Sequence, residues 1–314
     1  MNALVFQLLT VLVTVGGPAA PENALLNELV EKGVHMPDGQ VLRLPPPTMA
    51  EGLNAQQQAA VLAATAPRGK VEEFLDKASG APVSLKVGKI PSKMGDDVIR
   101  TVNLSFVVYG DWNVLTSDQF SKTILKEGKA NNGKQQGMVS KAGYLKPPDL
   151  AVRGLATRST PNVKEYFLYT TLRLFDRVEL SVTRFGVATK TPAGVIVAAK
   201  LDPRFAKDKE YPNLWREIDK DTLGNEVLGL PQSYSGGGFY AKVTRLIKPA
   251  NAIFVEFHQL FYEPRAWFGE DENLTRAELG KIIPFEVKQF RAKLARATLD
   301  QAEKKPGEAK PAEK

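Results

Sequence analysis

Glu256 and His258 have the residue types and the spacing of an acid–base pair. They lie two positions apart in the segment AIFVEFHQLFYEP, residues 252–264. Alternate side chains of a strand share one face, so the carboxylate could orient the imidazole as a general base or help to hold a metal ion. The other interpretation is that each side chain packs against a cross-strand partner. Candidate partners are Lys242, Arg245 and Arg173.

The composition limits the chemistry that this pair could join. The chain has no cysteine, and its only histidines are His35 and His258. Disulfides, thiol nucleophiles, cysteine-ligated zinc and a three-histidine metal site in one chain are therefore excluded. The segment DKDTLGNE, residues 219–226, has Leu223 where a calcium loop needs an oxygen ligand. We expect no metal and no cofactor.

Aromatic residues in three segments could line a ligand pocket. Three consecutive glycines in residues 232–242 precede a strand, which favours a turn or bulge over a phosphate-binding loop. Residues 201–218 and 262–274 combine aromatic with charged side chains and could form the rim of one cleft. An exposed Trp267-Phe268 pair would mark a binding edge, and a buried one would clamp its loop to the core. The candidate ligand-binding residues are Tyr234, Phe239, Tyr240, Trp267 and Trp215.

The elements that must position these residues are mainly antiparallel strands. Seven segments are rich in alternating apolar, β-branched and aromatic residues: 82–90, 98–112, 165–175, 178–190, 194–203, 237–247 and 252–263. Connectors of two to four residues after 175, 190 and 247 predict three hairpins. The last strand is apolar on both faces, which predicts a central strand covered on both sides.

The predicted helices lie at the two ends of the sequence and between the second and third strands. Helical patterns occupy 23–33, 51–65, 69–78, 116–128 and 283–301. In the last helix we expect Pro284 in the first turn and an apolar side formed by Phe285, Phe290, Leu294 and Leu299. Residues 129–163 are polar and weakly periodic, which predicts a long loop.

Together these patterns predict an α+β fold. We expect an antiparallel sheet of about seven strands, a long C-terminal helix packed on it and a small N-terminal helical layer, with the helices on one face. The order of elements also permits a curved sheet around the C-terminal helix, as in START-like lipid-binding folds. That is an analogy of fold alone.

The first 20 residues have the length and flanks of a secretory signal. Residues 3–15 are almost wholly apolar, small residues follow them, and no lysine or arginine precedes them. A buried helix or an uncleaved anchor is the alternative. We expect export to the periplasm or cell envelope, with a helical segment at 21–80, the sheet domain at 81–302 and a charged, disordered tail at 303–314. No other segment predicts a transmembrane helix.

The charge pattern does not favour nucleic acid as a partner. The 42 lysines and arginines and 35 aspartates and glutamates give a formal charge of +7, but they are interspersed along the chain. A mild general excess indicates solubility or weak attraction to an acidic surface, such as an acidic envelope polymer.

Three quoted segments of the C-terminal half carry a family resemblance. They are LDPRFAKDKEYPNLW, YSGGGFYAKVTRLIKPANAIFVEFHQLFYEPRAWFGEDENLTR and IIPFEVKQFRAKL. The sequence resembles a family of hypothetical exported proteins of planctomycete-type bacteria. This resemblance implies export and supplies no catalytic residue.

Three functions remain open from the sequence. The leading hypothesis is an exported, non-enzymatic domain that binds an apolar or amphipathic, lipid-like ligand or an envelope partner. The second is an acid–base hydrolase that uses Glu256 and His258. The third is a structural assembly protein of the envelope whose basic tail touches acidic polymer or lipid.

Overall fold

The computed structural model describes residues 22–117, 119–120, 139–268 and 273–303. The predicted signal segment, the end of the charged tail and most of the predicted helix at 116–128 lie outside these residues. None of the helices in the described part of the chain is long and apolar enough to cross a membrane.

Antiparallel strands dominate the described residues. In chain order the strands are β1 (Val34–His35), β2 (Val41–Leu42), β3 (Ser84–Pro91), β4 (Val98–Tyr109), β5 (Val139–Tyr144), β6 (Val163–Leu174), β7 (Val178–Lys190), β8 (Gly194–Leu201), β9 (Leu214–Lys220), β10 (Glu226–Leu228), β11 (Gln232–Ser233), β12 (Gly237–Arg245) and β13 (Ala252–Glu263). β1 and β2 form a separate ribbon, and the other eleven form one sheet.

The large sheet has a main path of eight strands. Their spatial order is β5-β6-β7-β8-β12-β13-β4-β3, with every pair antiparallel. β9 pairs with the first residues of β7, and β10 and β11 pair with β9. The central strand β13 therefore lies between β12 and β4, which are far apart in the sequence.

Six helices accompany the sheet within the described residues. They are α1 (Ala24–Asn27, continued by a π-helical turn at Glu28–Lys32), α2 (Ala55–Thr65), α3 (Val71–Phe74), α4 (Trp112–Leu115), α5 (Pro147–Ala151) and α6 (Leu274–Glu303). The predicted α+β class, with a large antiparallel sheet, a long C-terminal helix and small N-terminal helices, is confirmed. The sheet has eleven strands rather than about seven, because β5, β9, β10 and β11 are short and lack an alternating apolar pattern.

Helices cover both faces of the sheet, so the prediction that they share one face is wrong. On β4, the ring of Phe106 contacts Phe290 of α6. The next residue, Val107, points to the opposite face and packs with Leu62 of α2 and with Phe74 of α3. We call the first surface the α6 face and the second the N-terminal face. The physical reason is that β4 and β13 are apolar on both sides, as the sequence of β13 predicts.

Alternation and register assign the remaining strands to these two faces. Phe106 lies opposite Val255, which lies opposite Val243 and then Val195. These residues mark the α6 face on four adjacent strands. Since alternate residues of a strand share a face, β7 contributes Leu180, Val182, Arg184, Gly186 and Ala188 to the same surface.

The C-terminal helix begins earlier than predicted. α6 starts at Leu274, so Pro284 lies in its interior rather than in its first turn. Phe285 and Leu299 are 45% and 65% exposed, so they do not belong to the apolar side. The buried stripe follows steps of three and four residues, and its apolar members are Leu279, Ile283, Val287, Phe290 and Leu294.

Two segments predicted as loops each contain a strand. The described part of 129–163 holds β5 and α5, and 201–218 holds a 3-10 turn and β9. β5 is an edge strand that pairs with β6, and its sequence VSKAGY lacks apolar alternation. Leu145 and Leu150 after it pack against Phe167 on the outer side of β6. Tertiary contacts, rather than local pattern, stabilise these elements.

Candidate functional site

Glu256 anchors the N-terminal segment to the sheet. Its carboxylate is fully buried on the N-terminal face. One oxygen accepts hydrogen bonds from the backbone N–H and the hydroxyl of Thr48, at 2.8 and 2.5 Å, and the other accepts from the Met49 N–H at 3.0 Å. Lys242 lies opposite Glu256 in the register but forms its ion pair with Glu51 at 3.0 Å. This geometry gives the carboxylate a structural role.

His258 shares a face with Glu256 but bonds elsewhere. Its Nδ1 atom lies 2.6 Å from the side-chain oxygen of Asn103, and its ring stacks on Tyr240 with centroids 4.9 Å apart. Its Nε2 atom has no hydrogen-bond partner among the described residues. Because the carboxylate and the imidazole bond to different groups, the geometry does not favour the acid–base interpretation, which stays a prediction.

We expect His258 to make the protein sensitive to acid. Burial lowers the pKa of His258 from 6.5 to about 4. The unfolded chain therefore takes up a proton as the pH falls below 6.5, and the folded protein does so only near 4. Stability is full above pH 6.5 and falls between these values, by about 3 kcal/mol at most. Urea unfolding from pH 7 to 4 measures this loss, which H258Q should reduce. H35Q, at an exposed histidine, should leave it unchanged, and equal loss in all three proteins would contradict the assignment.

Three of the five predicted ligand-binding aromatics are in contact, Phe239 lies elsewhere on the α6 face, and Tyr240 lies on the opposite face. Tyr234 stacks on Trp267 with centroids 5.4 Å apart, and Trp267 contacts Trp215 at 6.0 Å. Trp215 lies opposite Leu180 of the α6 face, and Phe239 is on that face beside Phe257. Tyr240 points to the N-terminal face, where its hydroxyl donates to the Pro45 carbonyl at 2.8 Å.

The Trp267-Phe268 pair is buried and clamps its loop to the core. Phe268 contacts Phe175 at the end of β6, and Trp267 contacts Trp215 of β9. The pair therefore closes one end of the α6 face rather than forming an exposed binding edge. The Trp267 indole N–H, however, has no partner in the described residues.

Five unpartnered polar atoms lie on or beside the α6 face, and others, on Thr189, Thr244 and His258, lie on the N-terminal face. Apart from the Arg100–Glu263 ion pair, the α6 face is mainly apolar, and each of these five atoms is shielded from solvent and lacks a hydrogen bond within the described ranges. They are the Tyr166 hydroxyl, Thr170 Oγ1, Arg184 Nη1, Gln259 Oε1 and Trp267 Nε1. Buried polar groups are paired in the great majority of cases, so each exception requires an explanation.

Arg184 is the charged member of this group. The side chain is 8% exposed, and no ion pair or hydrogen bond of its guanidinium is found within the described part of the chain. Burial lowers the pKa of Arg184 to about 10, so the group remains a cation at neutral pH. An isolated cation in an apolar core is energetically costly.

Small residues lie beside Arg184 on the α6 face. Gly186, Ala188, Ala199 and Ala241 occupy adjacent positions of β7, β8 and β12. A Cβ at Gly186 would collide with the ring of Tyr166, which explains why glycine is needed there. The small side chains form a low floor between Tyr166 on one side and Phe239 on the other.

Two positions of the central strand indicate accessible space above this surface. Gln259 and Phe261 are partly exposed, although β13 has a neighbouring strand on each side. Their exposure must therefore come from the α6 face. A cavity of about 310 Å³ reaches Leu201 and Gly237, but much of its lining comes from residues 28 and 33–36 of the N-terminal segment, where Val34 packs on the N-terminal face at Gly238.

Sequence reasoning missed Arg184 and its polar neighbours. One signal was available: within β7 the alternating positions from 180 to 188 are apolar or small except for Arg184. Only the strand register shows that Tyr166, Thr170 and Gln259 lie on the same face as Arg184. Among the described residues, no cluster of three or more histidine or acidic side chains could hold a metal.

Comparison with known proteins adds a weak structural similarity. No family model and no curated protein matches the sequence. Among solved structures, human STARD10 is similar over 83% of this chain and 86% of that chain, with 10% sequence identity and a TM-score of 0.32. A likeness at this TM-score carries no argument, so the function must be argued from the site itself.

Proposed function

We propose that the protein binds an apolar or amphipathic small molecule on the α6 face of its sheet. The observation that carries this proposal is the set of five unpartnered polar atoms on a mainly apolar surface. A ligand site has this composition: a mainly hydrophobic lining with a few placed polar groups that fix orientation.

The energetics support this interpretation. A buried polar atom without a partner costs about 1–3 kcal/mol. A ligand that supplies partners on this face would offset that cost, and its apolar part would contact Phe239, Phe257 and the floor of small residues. The partly exposed Gln259 and Phe261 provide a surface that such a ligand would cover.

Native mass spectrometry tests this proposal. The full chain is purified from its own host without detergent, and we expect a stable added mass that denaturing extraction releases. A199L places a larger side chain on the floor of the α6 face and should reduce the occupied fraction at least tenfold. A59L makes the same change at an exposed position of α2 and should retain the added mass.

Two outcomes would overturn the proposal. One is a mass equal to the bare chain in the wild-type protein. The other is equal occupancy in wild type and A199L, provided that circular dichroism shows that A199L is folded.

A further inference from the structure

We infer that the ligand carries an anionic group, a carboxylate or a phosphate, and that Arg184 binds it. This inference rests on the proposed function and names the chemistry of the ligand head. Three features of the protein support it: Arg184 has no partner in the described residues, its neighbours are hydroxyl donors, and the other buried cations are paired.

The other buried cations have partners, in contrast to Arg184. Arg100 forms a bidentate ion pair with Glu263, with N–O distances of 2.9 and 2.6 Å. Lys242 pairs with Glu51. Arg291 of α6 donates to the Val107 carbonyl at 2.9 Å and to carbonyls of residues 79–82. Three of these four buried cations therefore have ion-pair or hydrogen-bond partners, and Arg184 is the one that has none within the described residues.

The carboxylate of Glu263 is not available to Arg184. Glu263 lies near Tyr234, which is also a neighbour of Arg184. Both Glu263 oxygens already accept from Arg100, and one also accepts from the Thr275 hydroxyl at 2.9 Å. An anion for Arg184 must therefore come from outside this group.

The neighbours of Arg184 suit an anion rather than a cation. Leu168 of β6 lies directly opposite Arg184 in the register, and the residues two positions to either side are Tyr166 and Thr170. Their hydroxyls are the unpartnered atoms of that strand, and both can donate hydrogen bonds. A guanidinium flanked by two hydroxyl donors supplies charge-assisted hydrogen bonds to a carboxylate or phosphate.

The location of Arg184 also fits an amphipathic ligand. The apolar floor of Gly186, Ala188 and Ala199 extends away along the sheet and would accept an acyl or alkyl body. The α6 face therefore has a cationic side chain, Arg184, next to an extended apolar surface.

Isothermal titration calorimetry with three matched probes tests the inference. The probes share one alkyl chain and end in a carboxylate, a phosphate monoester or a neutral alcohol. For wild type we expect at least one anionic probe to bind ten times more tightly than the alcohol, and the preferred anion identifies the source of the charge. R184Q should lose at least tenfold in affinity for that anion and keep its affinity for the alcohol. R177Q, which removes an exposed arginine from the β6–β7 turn, should behave as wild type.

A second measurement separates a ligand-binding role from a structural one. If Arg184 is uncompensated in the ligand-free protein, R184M should raise the ligand-free Tm by about 2–6 °C. A fall in Tm of several degrees would show that Arg184 has a structural partner and would overturn the inference.

The failures of the two proposals are distinguishable. If wild type binds the alcohol and the anions equally, and R184Q changes nothing, the inference about the head is wrong while the proposed function stands. If wild type binds none of the probes and carries no added mass from its host, both fail.

Discussion

Replacing Glu263 with leucine lowers the free energy of unfolding by about 3–5 kcal/mol. The substitution removes the bidentate partner of Arg100, a side chain only 3% exposed, and breaking a buried ion pair from one side costs this much. It also removes the acceptor of Thr275 in the first turn of α6. The ion pair therefore fastens the beginning of the C-terminal helix to β4 and β13, and its loss should weaken both contacts.

Urea denaturation of the full chain measures this effect, with two controls. The double variant R100M/E263L replaces both charges with apolar groups and should recover most of the loss. E226L removes the acid of the more exposed Arg173–Glu226 pair and should cost less than about 1 kcal/mol. Equal losses in E263L and E226L would show that the buried ion pair contributes no more to the free energy of unfolding than the exposed one.

Replacing Glu256 with leucine should cost at least about 3 kcal/mol and loosen the N-terminal segment. Hydrogen bonds to a charged group contribute about 1.5–3 kcal/mol each, and this carboxylate accepts three, from Thr48 and Met49. Their donors would be left buried without an acceptor. Because residues 45–50 connect α1 to α2 over the N-terminal face, we expect both helices to separate from the sheet more often.

Limited proteolysis together with urea unfolding tests this expectation. In E256L, cleavage within residues 22–76 should become at least tenfold faster while the rest of the chain remains protected. E256Q keeps the acceptor oxygen and should fall between wild type and E256L. E217L, at an exposed position of β9, serves as the matched control. Unchanged cleavage in E256L would mean that the N-terminal segment is held mainly by its apolar contacts.

Most of the fold can be predicted from the apolar, β-branched and aromatic runs that form the strands. The segments 178–190 and 252–263 predict the bounds of β7 and β13 to the residue. Long β-branched and aromatic runs between short turns leave little choice of boundary. β5 and β9 are harder to predict because their side chains do not alternate in polarity. The start of α6 is mispredicted because proline favours the first turn of a helix, whereas Pro284 lies in the interior of α6.

The candidate site depends on register, which local pattern does not supply. Tyr166 and Gly186 are on different strands, and only their pairing shows that the ring lies over the glycine. Glu256 and His258 have the spacing of a dyad, yet Thr48 and Asn103 supply their partners from distant segments. Spacing along one strand can place two side chains on the same face, but it does not show which residues pack against that face.

The order of the strands has a consequence for how the chain reaches this structure. β3 and β4 are synthesised early, but the other neighbour of β4 is β13, near the end of the chain. Until β13 and α6 are present, one edge of β4 and its α6 face remain uncovered, and open apolar edges invite pairing with other chains. Contacts between such distant segments also slow folding. We therefore expect folding to be completed only after β13 has been synthesised, and the nascent β4 edge to be open to pairing with other chains until then.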